Sequence, residues 1–448
     1  VKGLRSFVGL LVILVALGAY LYFVESKRDP AAADAKPKVF ASLEADAIGE
    51  ITVRSGAGER TTLKKEDAGW QVVAPMTAPA DSAAVSGITS NLSTLEEQRL
   101  IEENASNLGE FGLDKPKVEV TFKAGGQERT LQIGNKTPPG TDVYAKLGDQ
   151  NRVFLLSSYL ESTFNKSTFD LRDRTVLKLE RDKIDSLAVV TPKRTVRFAK
   201  AGSEWELREP IAARADFTSV DSLVSRLNTL QMKSEVTASP ENLAEYGLDK
   251  PAATVNIGSG SSQATLLLGR EATGVEGAIY AKDQSRPAVI TVEKSLLDDV
   301  TKDPGEFRLK DLFDARTFNS TRIEVVRGGE TFAFEKTKVK NKEGQEEEKW
   351  QRVAPAAGET DSTKVESLLS AATQARATGF VDSTAKTGLD SPLLTVTIKS
   401  DDGKKEERVA FARSGSDAYA ARAGEPGAAK IEPTTLDEIV KALDDVVK

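Results

Sequence analysis

The stretch EFGLDKP at residues 110–116 returns as EYGLDKP at 245–251 and, loosened, as KTGLDSP at 386–392. A catalytic loop is needed once in a chain. A structural corner is needed each time a domain is built, so the recurrence favours a corner. The glycine (Gly112, Gly247, Gly388) suits the end of a helical turn at positive φ, where a Cβ is costly. The leucine (Leu113, Leu248, Leu389) can turn inward, and the aspartate (Asp114, Asp249, Asp390) is at home in a turn. The proline (Pro116, Pro251, Pro392) bars helix continuation and sends the chain into a following strand.

Working outward from the corner, the copies share further landmarks. GWQVVAP, EWELREP and KWQRVAP carry Trp70, Trp205 and Trp350 and end at Pro75, Pro210 and Pro355. Six residues beyond each proline stands an aspartate, Asp81, Asp216 or Asp361. The corner glycine follows after 31 residues in the first two copies and after 27 in the third. Then come VYAK, IYAK and AYAA, with Tyr144, Tyr280 and Tyr419. Landmarks in one order at nearly constant spacing mean an internal triplication with a period of about 140 residues, the length of a domain.

The landmarks have structural readings. Alternating stretches such as EITVRS and RTTLKK precede each tryptophan, which is expected to pack a sheet face on a helix. Each aspartate is placed as a helix N-cap. Behind the caps, Val85, Ile88, Leu92 and Leu95, then Val220, Leu223, Leu227 and Leu230, then Val365, Leu368 and Leu369 recur in one phase. That pattern predicts one amphipathic helix per copy. Each copy thus reads as three strands, a helix, the corner, about four more strands and a short helix. The predicted class is α+β: an N-terminal transmembrane helix followed by three tandem copies of a mixed, mainly antiparallel sheet with one main helix each. The boundaries fall at 39–172, 173–315 and 316–448, the last with a capping helix, TTLDEIVKALDDVVK.

Composition excludes several functions. The 448 residues are 39% hydrophobic and 29% charged, ordinary for a folded protein, and the net charge of −7 argues against nucleic acid. There is no cysteine and no histidine, which removes disulfides, thiolate or imidazole metal sites and histidine-based catalysis. Cofactors are expected to be absent.

Phe7 to Val24 is uncharged over eighteen residues, close to the roughly 20 needed to cross a bilayer. Lys2 and Arg5 precede it, which places residues 1–24 as a cytoplasmic N-terminus and uncleaved anchor, with the bulk outside the cytoplasm. Val1 reads as a GTG start, which points to a bacterium and its inner membrane. Residues 25–38, ESKRDPAAADAKPK, read as an Ala/Pro/charged tether.

Chemistry-bearing motifs are sparse. In STAKTG, residues 383–388, Ser383 and Lys386 imitate both Ser-x-x-Lys and Lys-Thr-Gly, but the two motifs overlap and fall on the corner. No phosphate-cradling glycine loop occurs, so no nucleotide is expected. SDDGKKEE at 400–407 reads as a hairpin turn, and KEGQEEEK at 342–349 as a solvated loop tip.

With the W…P…D…GLD-x-P…Y pattern in hand, the chain resembles the bacterial family of domain of unknown function four-three-four-zero over residues 39–448. That resemblance implies an association with ABC-type export permeases and gliding-motility auxiliary proteins, and it supplies no catalytic motif. The expected function is a non-catalytic, membrane-anchored, periplasmic auxiliary or scaffold subunit of an ABC-type transport complex, with a permease or other envelope proteins as partners. The alternatives are a module binding envelope glycan, lipid or peptide, and a Ser/Lys or carboxylate hydrolase.

Overall fold

The computed structural model describes residues 36–340 and 346–448. The chain divides into two compact units after Arg174, the first carrying one sheet and the second, Thr175–Lys448, carrying two.

In the first unit, β1 (Ile48–Arg54), β2 (Arg60–Glu66), β3 (Gly69–Ala74) and β4 (Ala78–Pro79) form a meander. Helix α1 (Ser82–Ser93) carries the chain across to β5 (Arg99–Glu102) at the opposite edge. The corner then returns it to β6 (Val118–Ala124), which pairs with β1, and β7 (Gln127–Lys136), β8 (Asp142–Leu147) and β9 (Val153–Ser157) follow out to β5. The order is β4-β3-β2-β1-β6-β7-β8-β9-β5, and the two sheets of the second unit repeat it.

The alternation in the strands decides which face is buried. Ile51, Val53, Leu63, Val120, Phe122, Leu131, Val143 and Ala145 face α1, whose Val85, Ile88 and Leu92 are fully buried against them. Burying each such side chain is worth about 1.5–3 kcal/mol. The opposite face is covered near β8 and β9, where Phe111 and Leu113 of the corner pack with Val153 and Tyr144. Phe111 and Tyr144 have ring centroids 4.9 Å apart, and Tyr246 and Tyr280 in the second copy 5.0 Å.

The corner closes through a tight backbone approach. Leu108–Phe111 and Leu243–Tyr246 form short 3-10 turns ended by Gly112 and Gly247, both at φ 66°. A side chain on Gly134 of β7 would overlap the Phe111 carbonyl, and one on Gly269 the Tyr246 carbonyl. The third copy has Ala412 at this place. Its segment before the corner is four residues shorter, no 3-10 turn stands there among the described residues, and it is a side chain on Gly388 (φ 79°) that would overlap the Arg413 carbonyl instead.

Four expectations are corrected. Each sheet has nine strands, not about seven, and every strand pair is antiparallel, so the sheet is not mixed. β4 has two residues and β5 is largely exposed, so neither shows an alternating pattern; α1 sets β5 down antiparallel beside β9. Of the solvated loop tip expected at 342–349, residues 346–349 are strand, while 342–345 lie outside the described residues: Glu330–Lys340 and Glu346–Ala354, the counterparts of β2 and β3, form a long hairpin that pairs Lys338 with Glu348. The membrane-spanning helix expected at Phe7–Val24 lies outside the described residues. Among the described residues no helix is long and apolar enough to cross a membrane. The longest, Pro433–Val447, has 15 residues, about 22 Å against a hydrocarbon core of about 30 Å. The membrane partner, the permease partner and the inner-membrane location that rested on that helix are therefore set aside.

Two outcomes follow for stability. Gly134→Ala should cost about 1–3 kcal/mol in urea unfolding, as overpacking against backbone does, whereas Ala412→Gly should cost only about 0.5–1 kcal/mol. Asp216→Ala should cost about 1 kcal/mol by removing a cap, with Asp216→Asn restoring most of it in the same assay.

Candidate functional site

The recurring residues are committed to the fold. The Asp81 carboxylate accepts the Ala84 N–H at 2.8 Å, Asp216 that of Ser219 at 2.7 Å and Asp361 that of Thr363 at 2.9 Å. Trp205 and Trp350 are buried, with Lys200 and Lys336 over their rings at 5.2 and 5.3 Å; Trp70 is half-buried at the edge of its core. Pro75, Pro210 and Pro355 each follow a cis peptide bond. Leu113 and Leu248 are buried and Leu389 half-buried, while Asp114, Asp249 and Asp390 are exposed. Pro116, Pro251 and Pro392 lead into strands Val118–Ala124, Ala253–Ser259 and Leu394–Ser400. Tyr280 accepts the Thr273 N–H at 3.1 Å, and Tyr419 donates to Asp417 at 3.4 Å.

Ser383 and Lys386 sit on an exposed turn. The Ser383 hydroxyl accepts the Ala385 N–H at 3.1 Å, and Lys386 has φ 62°. Among the described residues no group of three or more carboxylates or other metal-ligating side chains is placed to hold a metal.

Residues of the second and third copies come together within the second unit, where its two sheets meet. A cleft of about 450 Å³ lies between the turn Pro304–Phe307 of the second copy and the strand Gly379–Val381 of the third. Its walls include Arg194, Pro210, Arg308, Lys310 and Phe380. Arg194 is held by the Thr301 and Lys302 carbonyls at 3.0 and 2.8 Å and pairs with Asp303 at 3.1 Å. Arg308 is 4% exposed. Its guanidinium stacks 3.9 Å from the Phe380 ring centroid, and Nη2 stands 3.6 Å from Glu425. Burial pushes this guanidinium below its ordinary pKa, with Glu425 working against that push.

Behind the cleft an ionic network joins the two sheets. Arg214 reaches Glu425 and Asp314, each at 2.5 Å, and donates to the Asp311 carbonyl at 2.8 Å. Arg422 donates to Glu407 at 2.5 Å and to the Leu312 carbonyl at 2.8 Å. Glu407, 6% exposed, also accepts the N–H groups of Asp314 at 2.9 Å and Ala315 at 2.7 Å. The linker between the copies is thus gripped by a carboxylate from the third sheet. Burial alone would raise the Glu407 pKa, and these N–H groups with Arg422 outweigh it, holding the carboxyl below its ordinary 4.5.

Sequence reasoning did not single out Arg308, Glu425, Glu407 or Phe380. FRLKDLFDARTF around Arg308 matches FDLRDRTVL around Arg172 and reads as a joint, which was the available signal. Glu425 in AGEPG and Phe380 in TGFVD carry none.

The model of the family described as "Domain of unknown function (DUF4340)" matches residues 70–206 and 205–392. No curated protein matches the sequence. Among solved structures, a DNA polymerase sliding clamp from Pseudomonas aeruginosa is 10% identical, covering 88% of this chain and 93% of its own, with a TM-score of 0.16. A putative DNA polymerase III beta subunit from Eubacterium rectale is 6% identical, covering 90% and 95%, with a TM-score of 0.18. At such scores neither likeness carries an argument about fold or function.

Glu407→Ala should destabilise the second unit by about 3–5 kcal/mol, since Arg422 and two linker N–H groups lose their acceptor. The depressed pKa fixes the pH dependence. The ionic contribution of Glu407 is complete above pH 4.5 and is lost as pH falls through its lower folded value. Urea titrations of the parent and of Glu407→Gln should therefore differ most at neutral pH and converge in acid.

Proposed function

We propose, for a chain that belongs to the DUF4340 family, the role of a non-catalytic scaffold: an auxiliary subunit of an ABC-type transport assembly that holds protein partners along its tandem sheets. The transport association rests on the family resemblance of the sequence. The observation that carries the scaffold reading is the division of labour among the side chains. The residues that recur in all three copies cap helices, fill cores and close corners. The residues particular to the joint of the second unit are spent on fixing two sheets to each other beside an open cleft. A chain that invests buried ion pairs in the junction of its repeats gains a defined spacing between binding surfaces, which a scaffold requires and a single-domain catalyst does not. A second reading, a module that binds a ligand, is favoured by the cleft itself.

The test is in-cell crosslinking with a lysine-reactive reagent, followed by mild-detergent purification of the tagged chain and mass spectrometry. The expected result is a transport ATPase recovered in fixed ratio, with crosslinks on Lys310 at the cleft rim. Recovery of the chain alone, with no stoichiometric partner, would overturn the scaffold reading.

A further inference from the structure

The oxidisable sulfur of this chain amounts to two methionines, Met76 and Met232, since there is no cysteine. The fold treats them differently. Met232 follows the helix Phe217–Asn228 of the second copy and is 7% exposed. Met76 stands in the turn between β3 and β4, directly after Pro75, and is 36% exposed. The same place holds Ile211 in the second copy and Ala356 in the third, so the turn forms without sulfur there.

A contact also singles Met76 out. Its Sδ accepts a hydrogen bond from Nη1 of Arg172 at 3.8 Å. Arg172 belongs to the segment that closes the first copy, where it bridges to Ala80. On either side of that bridge the Asp81 N–H donates to the Leu171 carbonyl and the Asp173 N–H to the Pro79 carbonyl. A thioether is a weak acceptor, whereas a guanidinium is a strong donor. The turn and the closing segment are thus joined here by a donor whose partner is poorly matched to it.

We propose that Met76 is a site of reversible oxidation by hydrogen peroxide, and that Arg172 receives the sulfoxide formed there. The sulfur lone pair attacks one peroxide oxygen, and an S–O bond forms as the O–O bond breaks. The hydroxide released takes the proton from the transferred oxygen and leaves as water. Sulfur gives up two electrons and the peroxide gains them. The product oxygen is polar and a far better acceptor than the thioether. The Arg172 donor, already 3.8 Å from the sulfur, meets that oxygen in a charge-assisted hydrogen bond. In a core the same reaction sets a polar group among apolar ones and disrupts packing. At this turn it fastens Met76 to the closing segment. The inference goes beyond the scaffold reading and is independent of it.

The experiment treats the full chain with hydrogen peroxide and follows oxygen uptake at the two methionines by peptide mass mapping. In the folded chain Met76 should oxidise about tenfold faster than Met232, because susceptibility follows exposure, and in concentrated urea the two rates should converge. Similar rates in the folded chain would overturn the site. Amide exchange at Asp81 and Asp173, whose N–H groups make the closing bonds, should slow severalfold after oxidation. Met76→Leu, treated in the same way, should show no change. Met76→Gln carries an amide oxygen near the place of the sulfoxide and should slow the same exchange without peroxide. Arg172→Ala should abolish the slowing, and where that variant fails to fold the Met76→Gln result decides. Faster exchange at Asp81 and Asp173 after oxidation, or a lower urea midpoint than that of treated Met76→Leu, would remove the role given to Arg172. The two epimer-specific methionine sulfoxide reductases, supplied with dithiothreitol, should return the oxygen as water and restore the original exchange. A sulfoxide that resists both on the folded chain would overturn the reversibility.

Discussion

The contact on which each of the first two sheets depends is a backbone carbonyl laid against a strand with no side chain at that point. The Phe111 and Tyr246 carbonyls occupy the space that a Cβ on Gly134 or Gly269 would need. That closeness lets a 3-10 turn lie flat on the sheet face away from the helix. It brings Phe111 onto Tyr144 and Tyr246 onto Tyr280, and each corner then fills a small second core. The third copy reaches the same topology with an alanine in that strand because its corner is shorter and its glycine meets the neighbouring residue instead. Corner length and strand residue have changed together, as two halves of one steric condition must.

Much of this was legible because the physics is local. A cap aspartate bonds to an amide two or three residues ahead, so Asp81, Asp216 and Asp361 can be read without knowing the fold. The helix phase behind each cap, and the positive φ of the corner glycine, are likewise local. The nine-strand count was hidden because a two-residue strand such as Ala78–Pro79 has no period, and Arg99–Glu102 buries too little to show one. The joint in the second unit was hidden for a different reason. Arg214 and Glu425 are 211 residues apart, and nothing in AGEPG marks a glutamate that will meet an arginine from the preceding repeat. The corner recurs three times and announces itself; the partners at the joint have no such repeat to mark them.

The ion pairs of that joint differ from the ones scattered over the sheet surfaces. Lys64, Glu50, Lys123 and Glu128 form an exposed row on the first sheet, where screening by water leaves each pair worth about 0–1 kcal/mol. Glu407 is buried and takes three donated hydrogens from three residues, two of them linker amides. The surface row holds register across strands that are already paired. Glu407 fixes where the third sheet begins.

The grip of Glu407 on the linker also sets an order of events at the ribosome. Asp314 and Ala315 emerge 93 and 92 residues before the carboxylate that receives their amides, and Arg214 emerges 211 residues before Glu425. At the usual synthesis rate of about 5–20 residues per second, Arg214 waits on the order of 10–40 s for its partner. In the later part of that interval the second sheet is complete along its strands, Arg214 has only Asp314 to meet, and Arg308 has yet to meet Glu425. The nascent chain thus presents a cationic face that the finished molecule conceals, and it is closed only when the third sheet has been made.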